Sequence, residues 1–366
     1  MSSDSPLAAV VLPPREGFGP GRTGAIGLLA RRLVQTPGFD TVIIGGEQEG
    51  PVFPGVAFRP VEPALLALGS TNLRYAVAVA RVLKKLRPAL VEVHNRPELA
   101  LALATKLPST PVTLILNNDP QGMREATTPA ERAAMLRRLA RVFTSSDYLR
   151  RRLLEDVPAP EKPPLVLLNC LDLKEIPPPQ PREKLILFAG RVVDNKAPDA
   201  FVAACAEALP HLPGWSAEII GADRFSYDSP DTGFVQMVRA AAGPAGVRML
   251  GYRDHPDVLE AMTRASIVVV PSRWPEPFGL VALEALATGA ALVCSPRGGL
   301  PEVAGDVAVY ADPDRPAEMA AAIRALATDE ARRAALAEAG RERAKQFDAP
   351  VIAARLADLR RAVLGG

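Results

Sequence analysis

Short runs of Val, Ile and Leu recur along this chain, separated by longer stretches in which apolar residues return every three or four positions. The short runs at 7–12, 41–44, 90–93, 112–116 and 142–144 read as buried strands, and the stretches at 24–34, 72–86, 98–107 and 129–139 read as helices. Their alternation predicts βαβ units and a parallel sheet. Prolines then cluster at 158, 160, 163 and 164, and again at 177–179 and 181, which marks a stiff connection and a domain boundary near 175. A second series follows, with strands at 185–190, 217–220, 247–250, 267–270 and 291–294 and helices at 198–209, 234–242, 256–264 and 280–288. Helices at 316–327 and 329–346 lead to a break at Pro350 and a last amphipathic helix at 351–364, expected to pack back on the first domain. The expected fold is α/β: two doubly wound Rossmann-like domains facing across a cleft, 1–175 plus 350–366 and 176–349.

Composition narrows the partners. A chain of 366 residues favours two domains, and 48% hydrophobic with 23% charged residues is ordinary for a globular protein. A formal net charge of +2 is too small to suggest nucleic acid. Cys170, Cys205 and Cys294 lack metal or redox spacing, which suits a reduced compartment. Residues 1–6 lack the basic start and apolar core of a secretory signal, and no apolar run approaches the roughly 18 residues of a membrane span, so a soluble, cytoplasmic chain is expected. Charge is unevenly placed: residues 1–175 hold 22 Lys and Arg against 17 Asp and Glu, a net +5, and the remainder is −3. The helix at 72–87 sets Arg74, Arg81, Lys84, Lys85 and Arg87 beside apolar positions. That pattern fits peripheral contact with an anionic membrane and equally a helix that covers a sheet with a solvated face.

The strongest chemical signal is Glu276-Pro277-Phe278-Gly279-Leu280-Val281-Ala282-Leu283-Glu284, directly after the strand at 267–270. It places two carboxylates on a strand-loop-helix unit, where open α/β sheets bind ligands. A second loop, Gly190-Arg191-Val192-Val193-Asp194-Asn195-Lys196, places a guanidinium and an ammonium after the first strand of the second series, suited to neutralising a departing diphosphate. Two other patterns carry less. Gly19-Pro20-Gly21-Arg22-Thr23-Gly24, with Glu47, imitates a dinucleotide fingerprint but stands too far from its strand; a flexible surface loop explains it. Asp312-Pro313-Asp314 imitates a metal-binding Asp-x-Asp, and a turn with helix capping accounts for it. His94, His211 and His255 are isolated, so neither a metal nor a cofactor is expected.

Together these motifs resemble the donor domain of retaining GT-B glycosyltransferases, in particular glycosyltransferase family 4. The resemblance rests on Phe188-Ala189-Gly190-Arg191 with Lys196, Glu218-Ile219-Ile220-Gly221, Met249-Leu250-Gly251-Tyr252, Val270-Pro271-Ser272, the two glutamates, and Gly298-Gly299-Leu300-Pro301-Glu302-Val303. The first half matches through Pro20-Gly21, Val93-His94-Asn95-Arg96-Pro97 and Leu116-Asn117-Asn118-Asp119-Pro120, with Asn117 standing where the family often has His. The resemblance implies a nucleotide diphosphate sugar as donor, with Glu284 on the ribose, Glu276 on the sugar and Arg191, Lys196 and Gly21 on the diphosphate. Gly190, Gly221, Tyr252, Arg253, Phe278, Gly279 and Leu280 complete the implied donor site. His94, Asn117, Asn118 and Asp119 would lie on the acceptor or sugar side. The implied reaction is metal-independent hexosyl transfer with retention to a glycan or lipid-linked acceptor, in surface polysaccharide or exopolysaccharide synthesis. A sugar-nucleotide epimerase, a phosphorylase and a non-catalytic nucleotide-sugar-binding protein remain open alternatives.

Overall fold

The computed structural model describes residues 5–64, 68–224 and 226–365. In chain order, the first elements are β1 (Leu7–Val11), α1 (Ala25–Arg32), β2 (Asp40–Gly45), β3 (Ala57–Pro60), α2 (Thr71–Leu86), β4 (Leu90–His94), α3 (Pro97–Lys106), β5 (Val112–Leu116), α4 (Pro129–Arg138), β6 (Arg141–Thr144), α5 (Asp147–Leu154) and β7 (Leu165–Val166). There follow β8 (Glu183–Ala189), α6 (Pro198–Ala208), β9 (Ser216–Ile220), α7 (Gly233–Ala242), β10 (Val247–Met249), α8 (His255–Arg264), β11 (Ala265–Val270), α9 (Leu280–Thr288), β12 (Ala291–Cys294), α10 (Leu300–Ala304) and β13 (Ala308–Tyr310). The last helices are α11 (Pro316–Thr328), α12 (Glu330–Ala344) and α13 (Ala349–Leu364).

The chain divides into two compact units, Met1–Cys170 with Asp348–Gly366, and Leu171–Phe347. The expected limits at 175 and 349 shift for a physical reason. Leu171 N donates to Phe347 O at 2.9 Å, which ties the residues after 170 to the second unit, and the Asp348 side chain caps α13 through Ala349 N. Among the described residues the first unit holds a seven-stranded sheet in the order β3-β2-β1-β4-β5-β6-β7 and the second a six-stranded sheet in the order β10-β9-β8-β11-β12-β13. Every ladder is parallel. Both are doubly wound, and the strand order reverses between β1 and β4 and between β8 and β11.

Central strands bury both faces, as parallel sheets with helices on each side require; β4, β5 and β11 are buried at every position. The strands that hydrophobic runs do not announce lie at or near the edges. β3 is largely exposed and ends in Arg59-Pro60, β7 has two residues, and β13 has three partly exposed ones. Helix α13 packs Ile352, Ala353, Leu356 and Leu359 against Leu29, Leu33, Ile115 and Phe143 of the first unit. It also carries Arg360, whose Nη2 and Nε donate to Glu92 Oε2 and Oε1 at 2.5 and 3.1 Å, with both side chains 2% exposed. The guanidinium stands 5.3 Å from the centre of the Phe39 ring.

Candidate active site

In the second unit the site grows from the reversal point of the sheet. Beyond β8 the chain runs through Gly190 and Arg191 into a 3-10 turn, Asp194–Lys196; beyond β11 it runs through Pro271 and Ser272 to Glu276. Two contacts tie these loops together. Trp274 N donates to Asn195 O at 2.9 Å, and Arg273 forms a bidentate pair with Asp199 at 2.8 and 2.6 Å while also reaching Asp194 O. The hydrogen bonds to Asp199 hold the Arg273 guanidinium well above its ordinary pKa, outweighing burial. Lys196 is thereby brought to Glu276, with Nζ to Oε1 at 2.5 Å. Ser272 Oγ donates to the same oxygen at 2.6 Å and is propped by Ser295 Oγ, which donates to Ser272 O.

The Glu276 backbone is fixed from below by the turn at 298–299. Gly299 N donates to Glu276 O at 2.6 Å, and a Cβ on Gly298 would stand 2.5 Å from Glu276 N, at a φ of +64° that suits only glycine comfortably. Gly279 precedes α9 in a left-handed conformation, and no side chain caps that helix. Phe278 is buried edge-on against Phe347, with ring centres 5.8 Å apart, so its ring is turned into the core.

Glu284 lies one turn into α9, among Ala282, Leu283, Ala285 and Leu286, and is 6% exposed. Its Oε1 is bonded to His255 Nε2 at 2.7 Å. His255, isolated in the sequence, is thus a member of the site that no local signal marks, because 29 residues separate the partners. Three glycines follow neighbouring strands. Gly190 N donates to Ile220 O, Gly221 N donates to Gly251 O at 2.8 Å, and a Cβ on Gly221 would fall 1.8 Å from Gly190 O. Tyr252 stands beside Tyr227, ring centres 4.8 Å apart, and both phenols donate to Asp254. Arg253 turns its guanidinium back onto Tyr252 O.

The Asp-x-Asp imitation is occupied by arginine. Arg297 Nη2 reaches Asp312 Oδ1 at 2.8 Å and Asp314 Oδ2 at 2.7 Å, and Arg273 Nε reaches Asp314 Oδ1 at 3.1 Å. The hydrogen bond from Arg297 leads the lowering of the Asp314 pKa. Among the described residues no group of three or more His, Cys, Asp or Glu is arranged to hold a metal ion.

In the first unit, the residues expected on the acceptor or sugar side separate into distinct roles. His94 ends β4 with 4% exposure, and burial, aided by Arg360 and opposed by Glu92, lowers its pKa to about 4. Asn95 adopts a left-handed φ of +51° and accepts from Asn117 N at 2.6 Å. Asn117 is buried, and neither amide atom of its side chain has a hydrogen-bond partner among the described residues. Asn118 is exposed. Asp119 is engaged twice: it accepts from Gln121 N at 3.0 Å and from Arg152 Nε at 2.9 Å.

The segment leading into the loop that holds Gly21 is packed, while residues 20–22 are exposed. Phe18 is buried against Phe53 and Phe58, its backbone N–H and C=O both bond the Gln48 side chain, and Glu16 Oε1 accepts from Gly27 N in the first turn of α1. A carboxylate therefore stands at the helix terminus where a dinucleotide would need its phosphates. Gly21 itself is exposed, with a φ of +69°. On α2 the apolar positions Tyr75, Val79 and Leu83 are buried in the core, leaving Arg81, Lys84, Lys85 and Arg87 outward. No described helix is long and apolar enough to cross a membrane.

A parallel sheet of Rossmann type with a lysine, two carboxylates and close-packed glycines at the carboxyl ends of its strands defines a nucleotide-binding class of fold. Sequence comparison makes the assignment specific. Residues 172–343 match the model of glycosyl transferases group 1, and residues 26–175 match that of glycosyltransferase family 4. The chain belongs to this family of group 1 glycosyltransferases. It is similar to D-inositol 3-phosphate glycosyltransferase of Corynebacterium aurimucosum, 32% identical over 180 residues that cover 48% of this chain and 42% of the relative. Three curated relatives are matched over 60%, 66% and 42% of their own lengths, so the chain spans less than two thirds of each. Sucrose-phosphate synthase from Thermosynechococcus elongatus shares the fold, with a TM-score of 0.80 at 20% identity over 98% of this chain and 99% of that one. HepE of Anabaena, solved with UDP and glucose, shares it with a TM-score of 0.75 at 17% identity over 97% and 99%. At such identity the two structures establish the GT-B organisation of two Rossmann-like domains and nothing finer.

Proposed function

We propose that this protein is a retaining, metal-independent glycosyltransferase that moves a hexose-type sugar from a nucleoside diphosphate sugar to a hydroxyl of a glycan or glycolipid. The observation that carries the reading is the Lys196–Glu276–Ser272 cluster at the reversal point of the second sheet, with buried Glu284 on the adjoining helix. Two N–H bonds of the Lys196 ammonium remain beyond the one given to Glu276. With Arg191 they would stabilise the diphosphate as negative charge develops on it, a role for a cation that needs no metal ion. The UDP bound to HepE supports a diphosphate ligand for this fold.

In the proposed reaction the bond between the anomeric carbon and the β-phosphate oxygen breaks while the acceptor oxygen bonds to that carbon on the same face. The acceptor proton passes to the departing phosphate oxygen, so mass and charge balance without a general base from the protein. Glu276 would steady the positive charge on the sugar. Retaining hydrolases instead place two carboxylates about 5–5.5 Å apart and use one as a nucleophile. Glu276 is already engaged by Lys196 and Ser272, which favours the electrostatic role. Synthesis of a surface polysaccharide is the proposed setting, with the outward basic residues of α2 available to an anionic membrane surface.

The test is transfer from UDP-, GDP- and ADP-hexoses to a panel of glycoside and lipid-linked acceptors, with the product anomer read by proton NMR. Retention is expected. An inverted product would overturn the mechanism, and interconversion of the donor sugar without any acceptor would replace transfer with epimerisation.

A further inference from the structure

Glu284 is a buried carboxylate on a helix whose neighbouring positions, Ala282, Leu283, Ala285, Leu286 and Ala287, are all buried and apolar. An ionised group in such surroundings is unfavourable unless it is paired. The pairing comes from another element: His255 opens α8 and brings Nε2 to 2.7 Å from Glu284 Oε1. The ring is mounted on a fixed stretch of chain. Gly251 O accepts from Gly221 N, and Asp254, immediately before His255, accepts from the phenols of Tyr227 and Tyr252 at 3.1 and 3.3 Å.

The chemistry of the pair gives the direction of its hydrogen bond. An ionised carboxylate only accepts, so the imidazole nitrogen that faces it carries the proton. A carboxylate has about four lone-pair sites, and the bond from His255 uses one of them. The remaining sites keep a set direction because the Glu284 side chain is held against rotation. About three sites are left, enough for two adjacent hydroxyls that each donate one hydrogen. A carboxylate without the histidine would lose the contact that sets its orientation.

We propose that His255 is a positioning residue for the nucleotide: it holds Glu284 as an oriented acceptor for the two hydroxyls of a ribose, and so confers selectivity for ribose over sugars that lack them. This rests on the nucleotide-sugar reading above. Hydrogen bonds to charged groups contribute about 1.5–3 kcal/mol, roughly 10-fold to 150-fold in affinity, so the effect is measurable at a single contact.

The experiment is calorimetric titration with uridine, guanosine and adenosine diphosphates and with their 2′,3′-dideoxy counterparts. It is run on the unaltered protein, His255→Ala, His255→Gln and Glu284→Ala, each checked for folding by circular dichroism. The unaltered protein is expected to prefer its ribose ligand by at least about 10-fold over the dideoxy form. His255→Ala should lose most of that preference by weakening the ribose ligand alone, and His255→Gln, which presents an N–H at a similar reach, should regain part of it. Equal weakening of both ligands in His255→Ala, or an unchanged ratio, would overturn the positioning role while leaving nucleotide binding intact. Failure of every diphosphate to bind the unaltered protein would instead remove the nucleotide reading on which the inference stands.

Discussion

Lys196 Nζ and Glu276 Oε1 meet at 2.5 Å although 80 residues separate them, because their loops follow β8 and β11, the neighbouring strands at which the sheet order reverses. The pair links the cationic loop to the glutamate unit. It also sets the first prediction. Lys196→Ala should lower kcat/KM for sugar transfer by about 100-fold to 1,000-fold, the usual effect of removing one donor that stabilises developing negative charge. Glu276→Gln keeps the shape and removes the charge, so it should lower kcat more than it raises KM. Initial rates of product formation measure both. Normal turnover in Glu276→Gln would reject its role beside the sugar.

The buried Arg360–Glu92 pair anchors α13 to the first unit. Arg360→Ala leaves a carboxylate without its partner in a buried position, and should destabilise the protein by about 3–5 kcal/mol in denaturant unfolding. Arg360→Met together with Glu92→Leu removes both charges and fills the space, so the double variant should recover much of that loss.

His94 sets a pH window for stability. Its pKa in the folded protein is lowered from 6.5 to about 4, so the unfolded chain binds more protons than the folded one between those values. The contribution of neutral His94 is complete above pH 6.5 and is lost as pH falls toward 4. Between pH 7.5 and pH 5 the loss comes to about 2 kcal/mol. His94→Gln should flatten the stability difference across that interval by about this amount, measured by urea unfolding at the two pH values. An unaltered slope would show that His94 titrates normally.

Asp312 and Asp314 are bound by Arg297 and Arg273, so their expected contribution is to the fold of the loops around Glu276. The metal-independent reading predicts that excess EDTA leaves turnover unchanged. Asp314→Asn should lower the melting temperature slightly and should not make activity depend on added Mg²⁺ or Mn²⁺. Activity lost in EDTA and restored by either ion would reject it.

Both sheets were legible in the sequence because their central strands are continuous runs such as Ile267–Val270, and their helices carry clean apolar faces. Edge strands were not: Ala57–Pro60 and Ala308–Tyr310 are partly exposed and have no such run. Within the site, Lys196, Glu276 and Glu284 could be named from motif spacing. Their partners Ser272 and His255 could not be assigned, because those contacts arise only when separate strands and helices come together. Residues 20–22 lie exposed, as a surface loop would, but the packing of Phe18 on Phe53 and Phe58 and the bond from Gly27 N to Glu16 beside them arise from contacts that periodicity does not reveal.

The central claim is that the second unit holds a nucleoside diphosphate through Lys196 and Glu284. Isothermal titration of the full chain with uridine, guanosine and adenosine diphosphates and their hexose conjugates tests it most directly. One nucleotide is predicted to bind in the micromolar range, with affinity reduced at least about 10-fold by Lys196→Ala and by Glu284→Ala. Absence of binding by all of them, or binding indifferent to both substitutions, would contradict it.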